Sequence, residues 1–204
     1  MENNLLHPYI RLLNATGVDG LDFYIFNSLK SFKTPNGQVS QYHKCDRGLT
    51  TLRVCLGGNG DEYLASMALN LEIGDVYTVC AIRRGDRVSL YAIREITEKK
   101  NMEYGHLRVC NLMASKANMS ASAKGECFVS GMKYIDITKY IEMKPDNYEF
   151  TVSFENEKLS AKSDECSVKS GKYNTLYVFP SAENENNPSF LYTIDAMSYT
   201  GFYL

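Results

Sequence analysis

Residues 50–56 place Leu52, Val54 and Leu56 on one side of an extended chain and Thr51, Arg53 and Cys55 on the other. Residues 148–154 do the same, with Tyr148, Phe150, Val152 and Phe154 set against Glu149, Thr151 and Ser153. A period of two with one polar side predicts antiparallel strands half-buried on a core. Turn chemistry separates such runs: Asp19-Gly20, Asn36-Gly37, Gly57-Gly58-Asn59-Gly60 and Pro145-Asp146-Asn147. No window holds a helical stripe over three turns. The expected fold class is all-β.

The pattern occurs twice. "YIRLLNATG" from Tyr9 and "HLRVCNLMAS" from His106 both open as an apolar-Arg-apolar strand. "QVSQY" (38–42) resembles "DITKY" (136–140), Val54 corresponds to Val152, and Gly74 to Gly171, all 97 or 98 positions apart. Ordered landmarks at a near-constant offset predict two homologous units, 1–100 and 101–204, joined near 97–105. About seven short strands in each suggest two tandem immunoglobulin-like antiparallel β-sandwiches. The second ends in an aromatic C-terminal tail.

Between the apolar runs 76–82 and 88–93 lies Arg84-Gly85-Asp86. The corresponding connection in the second half is the longer "PSAENENNPS" and has no such tripeptide. A two-residue Gly85-Asp86 hairpin, with glycine supplying positive φ, accounts for it without adhesion chemistry.

At these landmarks the chain resembles the bacterial domain-of-unknown-function family 4397. The matching residues are "IRLLNA", "LRVCNL", "LDFYIFN" (21–27), the Gly-x-Val-Ser-x-Tyr run 37–42 and, above all, "LEIGDVYTVCAI" (71–82). They span about residues 8–195. Asn14-Ala15-Thr16-Gly17 and Met113-Ala114-Ser115-Lys116 stand where the family has a His-Ala-Ser-Pro-like segment. The resemblance implies tandem β-sandwich repeats of envelope or secreted proteins, and no catalytic residues.

Charge narrows the partners. The formal net charge is −2, with 12 basic and 11 acidic residues up to position 100 and 10 and 13 beyond it. Neither half is the basic module a nucleic-acid binder shows. The start, "MENNLLHPYI", lacks the pattern of a secretory signal, and no window approaches a membrane span. These features lead to an expectation of synthesis in the cytoplasm without membrane insertion; the resemblance to family 4397, together with the scattered cysteines, implies deposition at a spore or cell surface.

Candidate chemistry is sparse. Six cysteines (45, 55, 80, 110, 127 and 166) form no Cys-x-x-Cys pair with histidine companions, so no metal or other cofactor is expected. Cys55 and Cys110 each follow an arginine by two residues, which predicts outward-facing thiols able to cross-link an assembly. His7, His43 and His106 read as strand-edge residues, and His43 with Cys45 lacks an orienting acid. Asp61-Glu62 and Asp164-Glu165 fall short of a calcium ligand set. Tyrosines such as Tyr77 and Tyr148 read as core residues. Tyr199, Phe202 and Tyr203 in the tail are candidate assembly contacts.

The function expected is a non-enzymatic structural or interaction protein of a bacterial surface layer, a spore coat or envelope, with itself or other surface proteins as partners and a homo-oligomer as one form. The alternative is a small-ligand or carbohydrate-binding module.

Overall fold

The computed structural model describes residues 7–60, 62–95, 101–116, 118–155 and 159–198. These fall into two compact units, one within 7–95 and one within 101–198. Strands dominate both, with one 3-10 turn at Ala196–Ser198.

In the first unit the strands are β1 (Tyr9–Ala15), β2 (Leu21–Ile25), β3 (Ser28–Thr34), β4 (His43–Lys44), β5 (Gly48–Leu56), β6 (Tyr63–Leu71), β7 (Val76–Arg84) and β8 (Arg87–Arg94). They form two four-stranded sheets, ordered β4-β1-β7-β8 and β3-β2-β5-β6. Ile10, Leu12, Val79 and Ala81 of the first sheet share one core with Leu21, Phe23, Leu52 and Val54 of the second. That shared core makes the pair a sandwich.

The second unit contains β9 (Gly105–Asn111), β10 (Met119–Ala123), β11 (Glu126–Met132), β12 (Ile141–Met143), β13 (Asp146–Phe154), β14 (Ser160–Val168), β15 (Tyr173–Pro180) and β16 (Pro188–Ile194). Its sheets, β12-β9-β15-β16 and β11-β10-β13-β14, have the strand order of the first unit. Leu107, Val109, Leu176 and Val178 pack with Met119, Ala121, Phe150 and Val152. The all-β expectation of two sandwich units holds.

Two details differ from the sequence-based picture. Each unit has eight strands among the described residues, and the sandwiches are not wholly antiparallel. β1 runs parallel to β7, Tyr9 opposite Val76 through Ala15 opposite Ile82, and β9 runs parallel to β15. Strands paired this way are covered on both faces. β9 is accordingly buried along its whole length.

The matched segments 38–42 and 136–140 are straps beside β1 and β9. Ser40 N–H donates to Leu12 O (2.8 Å), while Leu12 N–H is taken by the Ser40 hydroxyl (3.0 Å). Thr138 repeats this on Val109, at 3.0 Å in both directions. A hydroxyl in place of a main-chain carbonyl interrupts the ladder.

The Arg84-Gly85-Asp86 tripeptide is a turn. Arg84 pairs with Arg87, Gly85 has φ 60°, and β7 and β8 continue either side.

Candidate functional site: an aromatic and cationic face on the first unit

Cys55 and Cys110 are not outward-facing. Their exposures are 1% and 0%, which corrects the expectation of accessible cross-linking thiols. Cys110 shares a face with Arg108, as alternation requires, but that face is itself covered. Cys55 is enclosed by a ladder irregularity at Val54/Cys55 and by the 57–60 loop, its thiol 3.8 Å from Gly60 O. Among the described cysteines Cys127 is exposed. Tyr199, Phe202 and Tyr203 lie outside the described residues.

His43 and Cys45 make no nucleophile. Burial pushes the Cys45 thiol up to about 11, outweighing the lowering by Lys30, so the thiol stays protonated at neutral pH. Burial, then Lys30, lowers the His43 pKa. His106 stacks on Tyr173 at 4.5 Å, with Nε2 2.9 Å from Asn101 O. No group of three or more His, Cys, Asp or Glu suited to a metal ion occurs among the described residues.

The arginines that open each repeat are internal. Arg11 Nε donates to Thr78 Oγ1 (2.8 Å), its Nη2 lies 3.3 Å from Glu95, and its guanidinium sits 4.8 Å over the Tyr42 ring. Tyr42 and Thr78 hydroxyls both donate to Glu95, at 2.7 and 2.9 Å. The second unit repeats the set with Arg108, Thr175, Asp195 and Tyr140. Arg108 Nε lies 2.7 Å from Thr175 Oγ1 and 3.5 Å from Asp195, and its guanidinium is 4.9 Å over Tyr140. Tyr140 and Thr175 hydroxyls reach Asp195 at 2.6 Å. These buried charges are paired and hydrogen-bonded, as burial demands. Each set ties a strap to the β1/β7 or β9/β15 pair and has no open side for a ligand, so it is structural.

The outer face of β3-β2-β5-β6 is different. Tyr24 on β2 pairs across the ladder with Arg53 on β5, and Tyr63 on β6 pairs with Cys55 on β5. The Arg53 guanidinium lies 5.7 Å from the Tyr24 ring centroid and 5.6 Å from that of Tyr63. Both distances fall within cation–π range. Its Nη2 donates to Phe26 O (3.2 Å) and Asn27 Oδ1 (2.8 Å), fixing the head group between the rings. Tyr63 is 54% exposed, Phe32 59% and Phe26 48%. Gly60 makes room for this packing, since a Cβ there would lie 2.7 Å from the Tyr24 hydroxyl.

Below the Phe26-Asn27 hairpin tip is a cleft of about 770 Å³, lined by Phe26, Asn27, Lys30, Lys44, Cys45 and Asp46 among others. Phe26 holds φ 52°, unusual for a bulky residue, and its N–H donates to Thr51 O at 2.7 Å. Asp22 on the same outer face is buried. Its carboxylate accepts from Lys33 N–H (2.6 Å) and Gly58 N–H (2.8 Å), holding β3 and the 57–60 loop to β2.

The second unit has the same strand pairing without these residues, its β13/β14 irregularity falling at Glu149/Thr151 rather than at the counterpart of Val54/Cys55. By pairing register Tyr24 corresponds to Ser122, Arg53 to Thr151 and Tyr63 to Ser160. The fold therefore does not require the two rings and the guanidinium. The sequence analysis missed this trio because its members lie on three strands. Comparison of the repeats at an offset of 98, which places Tyr24 on Ser122 and Arg53 on Thr151, carries the signal.

No family model and no curated protein matches the chain. Among solved structures, the carbohydrate-binding module CBMbc (family 26) from Eubacterium rectale Amy13K, in complex with maltoheptaose, is 11% identical. It has a TM-score of 0.31, over 94% of this chain and 99% of that one. A provisionally assigned cell adhesion protein from Bacteroides ovatus is also 11% identical with a TM-score of 0.31, over 93% and 96%. At these scores the likeness carries no argument.

Proposed function

We propose that this chain is a non-catalytic interaction protein of a bacterial surface layer, a spore coat or cell envelope, whose first unit carries the recognition face. One observation supports this above the others. At matched register positions of two sandwiches with the same strand order, the first unit displays Tyr24, Arg53 and Tyr63 where the second has Ser122, Thr151 and Ser160. Side chains that the shared fold does not need, yet that are held in a fixed arrangement at the surface, are the mark of binding. The surface-layer location rests on the resemblance to family 4397, and self-association or contact with other surface proteins accords with it.

Replacement of the trio by its counterparts tests the proposal, because the second unit carries those residues in the same ladder. The variant Tyr24→Ser, Arg53→Thr, Tyr63→Ser is compared with the parent chain for co-sedimentation with insoluble envelope and spore-coat material. Circular dichroism and urea unfolding check that it folds. Parent chain in the pellet and an at least tenfold loss for the folded variant are expected. Equal sedimentation of the two removes the face from the function.

A further inference from the structure

We infer that the Tyr24–Arg53–Tyr63 face takes a carboxylate-bearing polysaccharide, a chain of pyranose rings with uronic-acid units. This inference rests on the first unit being the recognition unit and names its ligand class.

Three features of the face argue for that chemistry. First, the rings flanking Arg53 stand on an open sheet face, Tyr63 more than half exposed. An aromatic surface of this kind packs against the C–H faces of a sugar ring, whereas a groove shaped for a peptide strand would offer an unpaired edge. Tyr24 and Arg53 instead lie on β2 and β5, in the interior of the sheet and paired on both sides, with Tyr63 alone of the trio on an edge strand, β6.

Second, the guanidinium has no carboxylate partner among the described residues. It contacts the Phe26 carbonyl, the Asn27 amide oxygen and the two rings. A fork already oriented by neutral groups retains its positive charge for an incoming carboxylate, which it can meet in a two-bond geometry. Lys30 and Lys44 on the adjoining cleft, with Lys33 over the Phe32 ring, extend the positive field. Among the described residues the acids nearest in the chain or lining are Asp46, Glu62 and Asp22, the last buried on the same face with its carboxylate taken up by the Lys33 and Gly58 N–H groups.

Third, hydroxyl and amide groups stand among apolar side chains on the outer face. Ser66 pairs with Arg53, Thr51 lies two residues along β5, and Asn70 pairs with Leu49. Sugars, with a hydroxyl on nearly every carbon, need many such neutral partners and few charges. Nucleic acid, charged at every phosphate, draws on the same cations, and the oligonucleotide competitor below separates the two.

Affinity electrophoresis of the full chain through gels containing polygalacturonate, amylose or neither provides the test, with a single-stranded thymidine oligonucleotide as competitor. Retardation by polygalacturonate and not by amylose is expected, weakening as salt is raised. Arg53→Gln, which keeps both rings, should weaken retardation at least tenfold. Tyr63→Ala should do so too, while Thr151→Ala in the second unit leaves it intact. Equal retardation by amylose, or an unchanged Arg53→Gln variant, overturns the carboxylate requirement. Displacement by stoichiometric oligonucleotide overturns the glycan in favour of nucleic acid. Absence of retardation in every gel, while the triple variant still loses co-sedimentation, overturns this ligand and leaves the recognition face standing.

Discussion

Asp195→Asn should destabilise the second unit far more than the loss of a single hydrogen bond. The carboxylate is fully enclosed, accepts from Tyr140 and Thr175 at 2.6 Å each, and lies 3.5 Å from Arg108 Nε. The substitution is nearly isosteric, so packing changes little, but it leaves a buried guanidinium facing a neutral amide. Breaking a buried ion pair by removing one charge costs about 3–5 kcal/mol. Tyr140→Phe, which deletes one donor to a charged acceptor, should cost about 1.5–3 kcal/mol. With a urea m-value of about 1.5 kcal/mol/M for a unit of this size, the first change lowers the transition midpoint by about 2–3 M. Tyrosine fluorescence and far-ultraviolet dichroism follow the transition, and Glu95→Gln supplies the matched experiment in the first unit. A shift of less than about 0.5 M for Asp195→Asn would refute the ion-pair account and reduce the cluster to space filling.

Further outcomes follow from the same structure. Cys127 should react with a thiol reagent in the native chain, while Cys55, Cys80 and Cys110 react on unfolding; prompt labelling of Cys55 or Cys110 in the folded chain contradicts their enclosure. The Cys45 thiol titrates at about 11 when folded against an ordinary value of 9.0, so the folded state holds the proton more tightly. The stability this confers is complete below pH 9 and is lost as pH rises towards 11; Cys45→Ala should flatten that part of the unfolding-midpoint profile. Asp86→Glu should leave sedimentation with surface material unchanged, since Gly85-Asp86 is a hairpin turn, and a large loss would revive an adhesive role. On the sequence pattern alone, removing Met197 to Leu204 should lower the size of any oligomer measured by light scattering; an unchanged size excludes the tail from assembly.

The alternation at Leu52/Val54 and Phe150/Val152 gave the buried faces of β5 and β13 correctly, and the Gly85-Asp86 turn was legible from glycine chemistry alone. What alternation cannot report is whether the opposite face is also covered. Arg11 and Arg108 sit on that opposite face of β1 and β9, yet the straps carrying Tyr42 and Tyr140 lie across them. Cys110 is buried with Arg108 for that reason. A charged residue in a strand signals solvent only when nothing further along the chain returns with an acid to neutralise it, and Glu95 and Asp195 lie more than 80 positions away. The parallel β1/β7 and β9/β15 pairs escaped for a related reason, since pairing partners so distant leave no local trace. The aromatic face was half legible. A chain with fifteen tyrosines and no tryptophan leaves room for surface aromatics, but only strand register joins Tyr24, Arg53 and Tyr63.

The central claim, that recognition belongs to this face of the first unit, is tested most directly by hydroxyl-radical footprinting of the chain while bound to surface material. After elution, oxidation is mapped residue by residue by mass spectrometry. Tyr63 and Phe32, 54% and 59% exposed, should lose most of their labelling on binding, while Met102 in the second unit, 66% exposed, keeps its own. Bound chain in which Tyr63 and Phe32 oxidise as in the free protein would contradict the claim.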